Sequence, residues 1–170
     1  MKRLLSIIGA ISLVGTSTTS LVACNKPQEY TLEELVKLKE ENKITTKNGV
    51  LEWIAPQEKP FNKVDNKYYY VVWRGNKNDK WRIIKLKHIE LKIGKIFDKY
   101  NNYTLELREE SGYPFNFTLY VRYSSSLGPA DWESYHNKGT FFKAVYRWNL
   151  DTQEPHLILD ENGNVKVNGE

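Results

Sequence analysis

The sole cysteine of the chain, Cys24, is the side chain best placed for covalent chemistry. Its thiol is a potential nucleophile, and it directly follows the small residues Val22 and Ala23. Upstream lie two basic residues at positions 2–3 and an uncharged, largely apolar stretch over 4–23. A basic start, a short apolar run and small residues before a cut form the pattern of an export signal. One cysteine excludes an intrachain disulfide framework and a cysteine-rich zinc site.

The other residue types that often perform catalysis are sparse and scattered. The histidines are His88, His136 and His156. No two of them have the i, i+4 spacing of metal ligands on one helix face. Serines at 124–126 follow a predicted strand, but no Gly-x-Ser-x-Gly turn is present to expose a nucleophile. We therefore expect no metal and no cofactor, and the sequence favours a non-enzymatic function while leaving enzymatic activity open.

Basic and aromatic side chains are concentrated over residues 59–99. This stretch has 12 Lys or Arg and four acids, with tyrosines and tryptophans between them. Eight of its residues form a candidate binding surface: Tyr68, Tyr70, Trp73, Arg74, Trp81, Arg82, Lys85 and Lys87. Such a surface suits an acidic polymer, a lipid headgroup, a sugar or a protein. The alternative is an ordinary solvated sheet face, because Lys85 and Lys87 alternate with Ile84 and Leu86.

Helical spacing of apolar residues occurs near the start of the region after Cys24. Thr31 and Glu34 match a capping box. The apolar residues that follow recur at helical spacing and predict a helix over 32–41.

From residue 44 onward the apolar residues alternate, which favours strands. Turn signals at Asn48-Gly49, at 75–79 and at Asn162-Gly163 predict hairpins over 44–54, 67–87 and 155–168. Further strands are predicted over 103–109, 115–123 and 139–150, whereas 124–138 is predicted to be irregular. Residues 88–100 fit two short elements broken near Gly94. The predicted architecture is α+β, mostly β: one N-terminal helix followed by an antiparallel meander of about seven to nine short strands.

The segment Leu21-Val22-Ala23-Cys24 resembles the lipobox of bacterial lipoproteins. The resemblance implies that the thiol of Cys24 receives a diacylglyceryl group carrying acyl chains such as palmitate. It also implies that a signal peptidase cuts between Ala23 and Cys24. The alternatives are an ordinary secretory signal with a chance cysteine and an uncleaved N-terminal anchor. The implied organisation is a removed signal peptide at 1–23, a lipidated tether at 24–30 and a single α+β domain at 31–170.

Removal of the signal peptide changes the charge balance of the chain. The full 170 residues carry a formal net charge of +4. The signal peptide holds two basic residues and no acid, so the remaining 147 residues carry +2. Such a small excess argues against nucleic acid as a partner.

The N-terminal 25 residues also resemble the signals of surface lipoproteins from spiroplasmas, which are wall-less mollicute bacteria. The segments KYYYVVWRGNKNDKWRII and VYRWNLDTQEP are similar to recurring stretches in uncharacterised lipoproteins of that group. The resemblance implies a location at the outer face of the cell membrane and no particular activity.

These observations lead us to expect a lipid-anchored surface protein that binds or adheres to a host or partner macromolecule, either a protein or a glycan. The first alternative is an accessory or substrate-binding component of a membrane complex. The second is a secreted hydrolase whose site assembles only in three dimensions, for example from His136 with Asp131 or Glu133.

Overall fold

The computed structural model describes residues 29–110, 116–124, 126–132 and 139–169. The predicted signal peptide, the lipidation residue Cys24, and the residues Glu133 and His136 lie outside the described residues. The described chain is mostly β, with one α-helix and antiparallel sheets, so the predicted α+β, mostly β class is confirmed.

The helix α1 (Leu32–Asn42) begins where the capping box predicts it. The side-chain oxygen of Thr31 accepts a hydrogen bond from the backbone N–H of Glu34, and the Glu34 carboxylate accepts one from the backbone N–H of Thr31. These reciprocal bonds satisfy donors that a helix start leaves without partners. No residue of α1 is buried, so the helix lies on the surface of the molecule. Tyr30 and Gln57, which exchange two hydrogen bonds, help to hold it there.

Eleven strands follow within the described residues. They are β1 (Ile44–Thr45), β2 (Val50–Trp53), β3 (Tyr68–Trp73), β4 (Arg82–Lys87), β5 (Ile96–Tyr100), β6 (Tyr103–Glu110), β7 (Asn116–Tyr123), β8 (Ser126–Asp131), β9 (Phe142–Trp148), β10 (Leu157–Leu159) and β11 (Val165–Val167). Two single-turn 3₁₀ helices, Pro56–Glu58 and Pro60–Asn62, connect β2 to β3. The predicted hairpins β1–β2, β3–β4 and β10–β11 are confirmed.

The strands form two main sheets and a separate hairpin. The four-stranded sheet has the order β5-β6-β7-β8, which is an antiparallel meander. The five-stranded sheet has the order β1-β2-β9-β3-β4, because β9 returns late in the chain to lie between β2 and β3. The strands β10 and β11 pair only with each other.

The five-stranded sheet is covered on both faces, which explains the dense β-forming run of β3. On one face, Val71 and Phe142 pack against Leu105 and Leu119 of the four-stranded sheet. On the other face, Trp148 and its neighbours pack against the β10–β11 hairpin. Both cores consist of residues from position 44 onward. The chain from residue 31 onward therefore carries its own core, and we expect it to fold without the predicted signal peptide.

Two predictions about the segments between strands need correction or refinement. The interval 124–138 was predicted to be irregular, but it contains β8, which pairs with β7 through Tyr120 and Asp131. The Gly128-Pro129 pair signals a loop, yet β8 is an edge strand, where a proline is tolerated because one side of the strand has no ladder to interrupt. Residues 88–95 form a loop with a turn at Gly94, and only β5 follows as a regular element.

Candidate functional site

The eight residues of the predicted binding surface lie on different faces of the β3–β4 hairpin. Tyr70 and Trp73 are 3% and 0% exposed, so the prediction that they belong to a surface is wrong for these two residues. Tyrosine and tryptophan are common in strands with one exposed face. They are buried here because β3 lies inside its sheet, with packing on both of its faces.

Arg82 lies on the face toward the four-stranded sheet and is engaged there. Its guanidinium pairs with Asp98 at 3.0 Å and lies over the Tyr100 ring at 4.6 Å. Asp98 also accepts a hydrogen bond from Nε1 of Trp73 at 3.1 Å. Arg82 and Trp73 thus contribute to the contact between the sheets.

Tyr68, Lys85 and Lys87 remain together on the opposite face. The Nζ atoms of Lys85 and Lys87 lie 5.2 and 4.9 Å from the centre of the Tyr68 ring, within the range of cation–π attraction. Lys85 also pairs with Glu154 at 3.0 Å, and this hydrogen bond lowers the pKa of the Glu154 carboxyl. We call these three residues the tyrosine–lysine cluster.

Arg74 and Trp81 lie at the far end of the hairpin, where Arg74 joins two loops. Its guanidinium lies 4.1 Å from the centre of the Trp81 ring. It donates hydrogen bonds to the carbonyl oxygens of Lys77, Gly139 and Thr140, at 2.9, 3.0 and 2.7 Å. Arg74 therefore fastens the β3–β4 turn to the segment that leads into β9.

These two loops form walls of an open cleft at one end of the paired sheets. The cleft has a volume of about 380 Å³. Its lining residues are Asn76, Lys77, Tyr103, Val121, Tyr123, Thr140 and Phe141. Three aromatic rings with a few polar groups at the margin match the usual composition of small-ligand sites. We call this feature the aromatic cleft.

The rings of the aromatic cleft are positioned by strand register and by close backbone packing. Tyr103 and Tyr123 are cross-strand partners on β6 and β7, with ring centres 5.0 Å apart. The Tyr103 ring also packs directly on Gly75, where an added Cβ would lie 2.4 Å from the ring. A side chain at position 75 would therefore displace Tyr103.

The β3–β4 turn is ordered by its own side chains before any ligand binds. One carboxylate oxygen of Asp79 accepts hydrogen bonds from the backbone N–H of Asn76 at 3.1 Å and from its side-chain amide at 2.8 Å. The side-chain oxygen of Asn76 in turn accepts from the backbone N–H of Asn78. A wall that is already ordered loses little conformational entropy on binding.

The lining of the aromatic cleft combines aromatic, polar and basic side chains. Its ionisable side chains are Lys77 and the two tyrosines, with no carboxylate and no histidine among the lining residues. General acid–base hydrolysis needs groups that exchange protons near neutral pH. The aromatic cleft offers instead ring faces for stacking and the ammonium group of Lys77, which can orient a ligand.

A second groove of about 440 Å³ lies between α1 and the strands β2 and β9. Its charged groups already pair with each other or with close neighbours. Lys43 binds Glu40 at 2.6 Å, and Arg147 binds Glu52 at 2.8 Å. A ligand would have to displace these pairs, so we favour the aromatic cleft.

The described histidines are not arranged for catalysis. His88 is buried against Phe61 and Tyr69, and this burial lowers the pKa of its imidazole. His156 contacts the side-chain amide of Asn168 at 2.8 Å. Across the described ranges, no group of three or more His, Cys, Asp or Glu is placed to hold a metal ion. The hydrolase site suggested for His136 and Glu133 involves residues outside that part of the chain.

Together these features define a two-sheet β domain with an aromatic cleft at one end. The chain matches no known protein family, no curated protein and no solved structure. In the described part of the chain, no helix is long and apolar enough to cross a membrane.

Sequence reasoning missed the three rings of the aromatic cleft. Tyr103, Tyr123 and Phe141 were assigned only to strands, and the pairing that unites them is long-range. A signal was nevertheless present, because Tyr103 directly follows the turn Asn101-Asn102 and Tyr123 directly precedes the serines at 124–126. Aromatic residues at strand ends next to turns are placed where loops form binding sites.

Proposed function

We propose that this chain is a lipid-anchored surface protein that binds a host or partner macromolecule without catalysis, using the aromatic cleft. The observation that carries the proposal is the lining of the cleft, with three aromatic rings and no acid–base pair. The expected ligand is a sugar unit of a glycan or an apolar side chain of a protein, because both stack on tyrosine and phenylalanine rings.

The proposed anchor is Cys24 in its lipobox-like context. Two acyl chains on a diacylglyceryl group give stable attachment, whereas one chain gives only marginal, reversible binding. The six residues from Cys24 to the first described residue add at most about 20 Å of extended chain. The domain would then lie close to the bilayer on its outer face.

The acylation of Cys24 gives the first prediction. In a bacterial host that processes lipoproteins, the wild-type protein should incorporate labelled palmitate and start at Cys24, whereas Cys24→Ala should incorporate none. The physical reason is that only the thiol can form the thioether to the diacylglyceryl group. The measurement is label incorporation together with mass spectrometry of the N-terminal peptide.

The same experiment separates the two alternatives for the N-terminus. A wild-type protein without label that begins near residue 24 would indicate an ordinary secretory signal. A wild-type protein that retains residues 1–23 would indicate an uncleaved anchor. Either result would overturn the lipid-anchor proposal.

The aromatic cleft gives the second prediction. The chain from Lys26 onward, screened on glycan arrays and against host extracts, should retain a ligand. Tyr123→Ala should bind that ligand about tenfold more weakly, or worse, which corresponds to about 1.4 kcal/mol. The reason is that the substitution removes one ring of the Tyr103–Tyr123 pair. Titration of the identified ligand by calorimetry would measure the change.

Tyr68→Ala is the matched control for this variant. Tyr68 is also a partly buried strand tyrosine, but it belongs to the tyrosine–lysine cluster, away from the aromatic cleft. Equal loss in both variants would indicate a general structural effect, and loss in Tyr68→Ala alone would move the site to the tyrosine–lysine cluster. Capture of one constant protein from the native membrane, with no effect of Tyr123→Ala, would favour the membrane-complex alternative.

A further inference from the structure

The loop between β4 and β5, together with the first residue of β5, exposes four large aliphatic side chains. The exposed fractions are 54% for Ile89, 41% for Leu91, 58% for Ile93 and 40% for Ile96. Four exposed aliphatic side chains within eight residues exceed the single ones scattered over an ordinary surface, and such groups mark interaction sites. We call residues 88–96 the aliphatic loop.

The aliphatic loop is fixed at both of its ends. At the first, the His88 ring is buried and packs edge-on against Phe61 with ring centres 5.5 Å apart. At the second, the backbone N–H of Gly94 donates to the carbonyl oxygen of Leu107, and the N–H of Leu107 donates to Lys95. The aliphatic side chains are therefore presented to solvent by an anchored backbone.

The charge around the aliphatic loop is positive. Lys87, Lys92 and Lys99 are exposed on and beside it. Lys95 pairs with Glu90, the only acid among residues 88–96, at 2.9 Å. Exposed aliphatic residues with flanking lysines are typical of segments that rest on anionic bilayers, where the lysine stems lie along apolar surface and the ammonium groups reach the phosphates.

The position of the aliphatic loop also suits a membrane contact. It follows the last residue of β4, while the aromatic cleft lies beside the turn that precedes β4, so the two features occupy opposite ends of this strand. The segment 55–62 links the start of the domain to the side of the structure that carries the aliphatic loop. Tyr30 binds Gln57, and Phe61, four residues further on, packs against His88.

We propose that the aliphatic loop docks on the surface of an anionic bilayer, with Ile89, Leu91 and Ile93 at the boundary between headgroups and acyl chains. This inference deepens the proposed function, since it orients the anchored domain with its aromatic cleft directed away from the membrane. It assigns the lysines beside the loop to the lipid phosphates. The tether would supply attachment, and the aliphatic loop would supply orientation.

The test uses the chain from Lys26 to Glu170, which has no acyl group and contains its own core. It should sediment with vesicles of phosphatidylglycerol and phosphatidylcholine in equal parts, and several-fold less with phosphatidylcholine alone. The triple variant Ile89→Ser, Leu91→Ser, Ile93→Ser should bind the anionic vesicles about tenfold more weakly or worse. Because these side chains are exposed, the melting temperature should stay close to that of the wild type.

The matched control is Ile158→Ser, at an exposed aliphatic residue of β10 outside the aliphatic loop. The control should bind the vesicles like the wild-type domain. Equal loss in Ile158→Ser and in the triple variant, or no vesicle binding by the wild type, would overturn the proposal.

A single fluorescent probe reports insertion directly. The chain from Lys26 has no cysteine, so Leu91→Cys can carry one environment-sensitive label, and Ile158→Cys provides the control position. We expect the emission to rise and shift to the blue with anionic vesicles only at position 91. Self-association or capture of a protein through the aliphatic loop, without any response to lipid, would contradict a membrane contact.

The vesicle-binding result is independent of the acylation experiment, because the tested chain from Lys26 lacks Cys24. Vesicle binding by this domain, with no palmitate incorporation into the full chain, would support the docking surface and contradict the proposed anchor. Intact acylation without vesicle binding would remove the docking surface and leave the proposed anchor unaffected.

Discussion

Trp73→Ala is expected to lower the free energy of unfolding by about 4 kcal/mol, since replacing a buried tryptophan by alanine costs about 3–5 kcal/mol. Trp73 is fully buried in the core between the two sheets. Removal of its indole leaves a cavity on the five-stranded side of that core and deprives Asp98 of one hydrogen bond. Urea unfolding of the chain from Lys26, followed by circular dichroism, measures the change.

One further variant separates the effect of the lost apolar volume from that of the lost hydrogen bond, and a second variant serves as a control. Trp73→Phe retains most of the apolar volume but lacks the indole N–H, so it should cost about 1–2 kcal/mol. Trp81→Ala is the control, because Trp81 is only partly buried and lies under the Arg74 guanidinium. It should cost clearly less than Trp73→Ala. Equal losses at both positions would contradict the assignment of Trp73 to the inter-sheet core.

Glu106→Ala is expected to destabilise the protein by about 2–3 kcal/mol. The Glu106 side chain is 2% exposed, and one of its oxygens accepts hydrogen bonds from Nε of Arg108 at 2.6 Å and of Arg122 at 3.1 Å. Removing one partner of a buried ion pair usually costs about 3–5 kcal/mol. The expected loss is smaller here because the two arginines are about one-third exposed and water screens their charge.

The control for this variant is Glu52→Ala, since Glu52 also pairs with an arginine, Arg147, but is 39% exposed. Exposed pairs of this kind contribute about 0–1 kcal/mol. A second variant, Glu106→Gln, removes the negative charge but keeps the shape of the side chain. Added salt should recover part of its stability, because salt screens the repulsion between Arg108 and Arg122. A loss in Glu106→Ala no larger than that in Glu52→Ala would show that the buried carboxylate contributes little.

The elements that could be predicted are those specified by neighbouring residues. The start of α1 follows from Thr31 and Glu34, which are three positions apart and satisfy each other's backbone groups. The hairpin around Asn48-Gly49 likewise follows from a turn signal between two alternating runs. Such short-range signals can be recognised in the sequence without knowledge of the rest of the fold.

The predictions that failed depend on the packing of distant segments. The dense run of β3 is compatible with burial on both faces, but only the position of β3 inside its sheet shows that Tyr70 and Trp73 are covered. The edge position of β8 likewise depends on its pairing with β7, and that position allows Pro129 in a strand. Burial and edge position belong to the whole sheet rather than to a segment.

The same distinction applies to the proposed anchor and the proposed binding sites. The acylation motif at Cys24 is linear, since processing enzymes recognise a short segment of chain, and the sequence alone predicts it. The aromatic cleft joins Asn76, Tyr103, Tyr123 and Phe141, which span more than 60 positions. They meet because strand pairing and the Arg74 contacts bring three loops to one end of the two sheets. The sequence by itself therefore predicted the proposed location and determined the local elements, and only tertiary packing decided which aromatic rings are buried and which form a cleft.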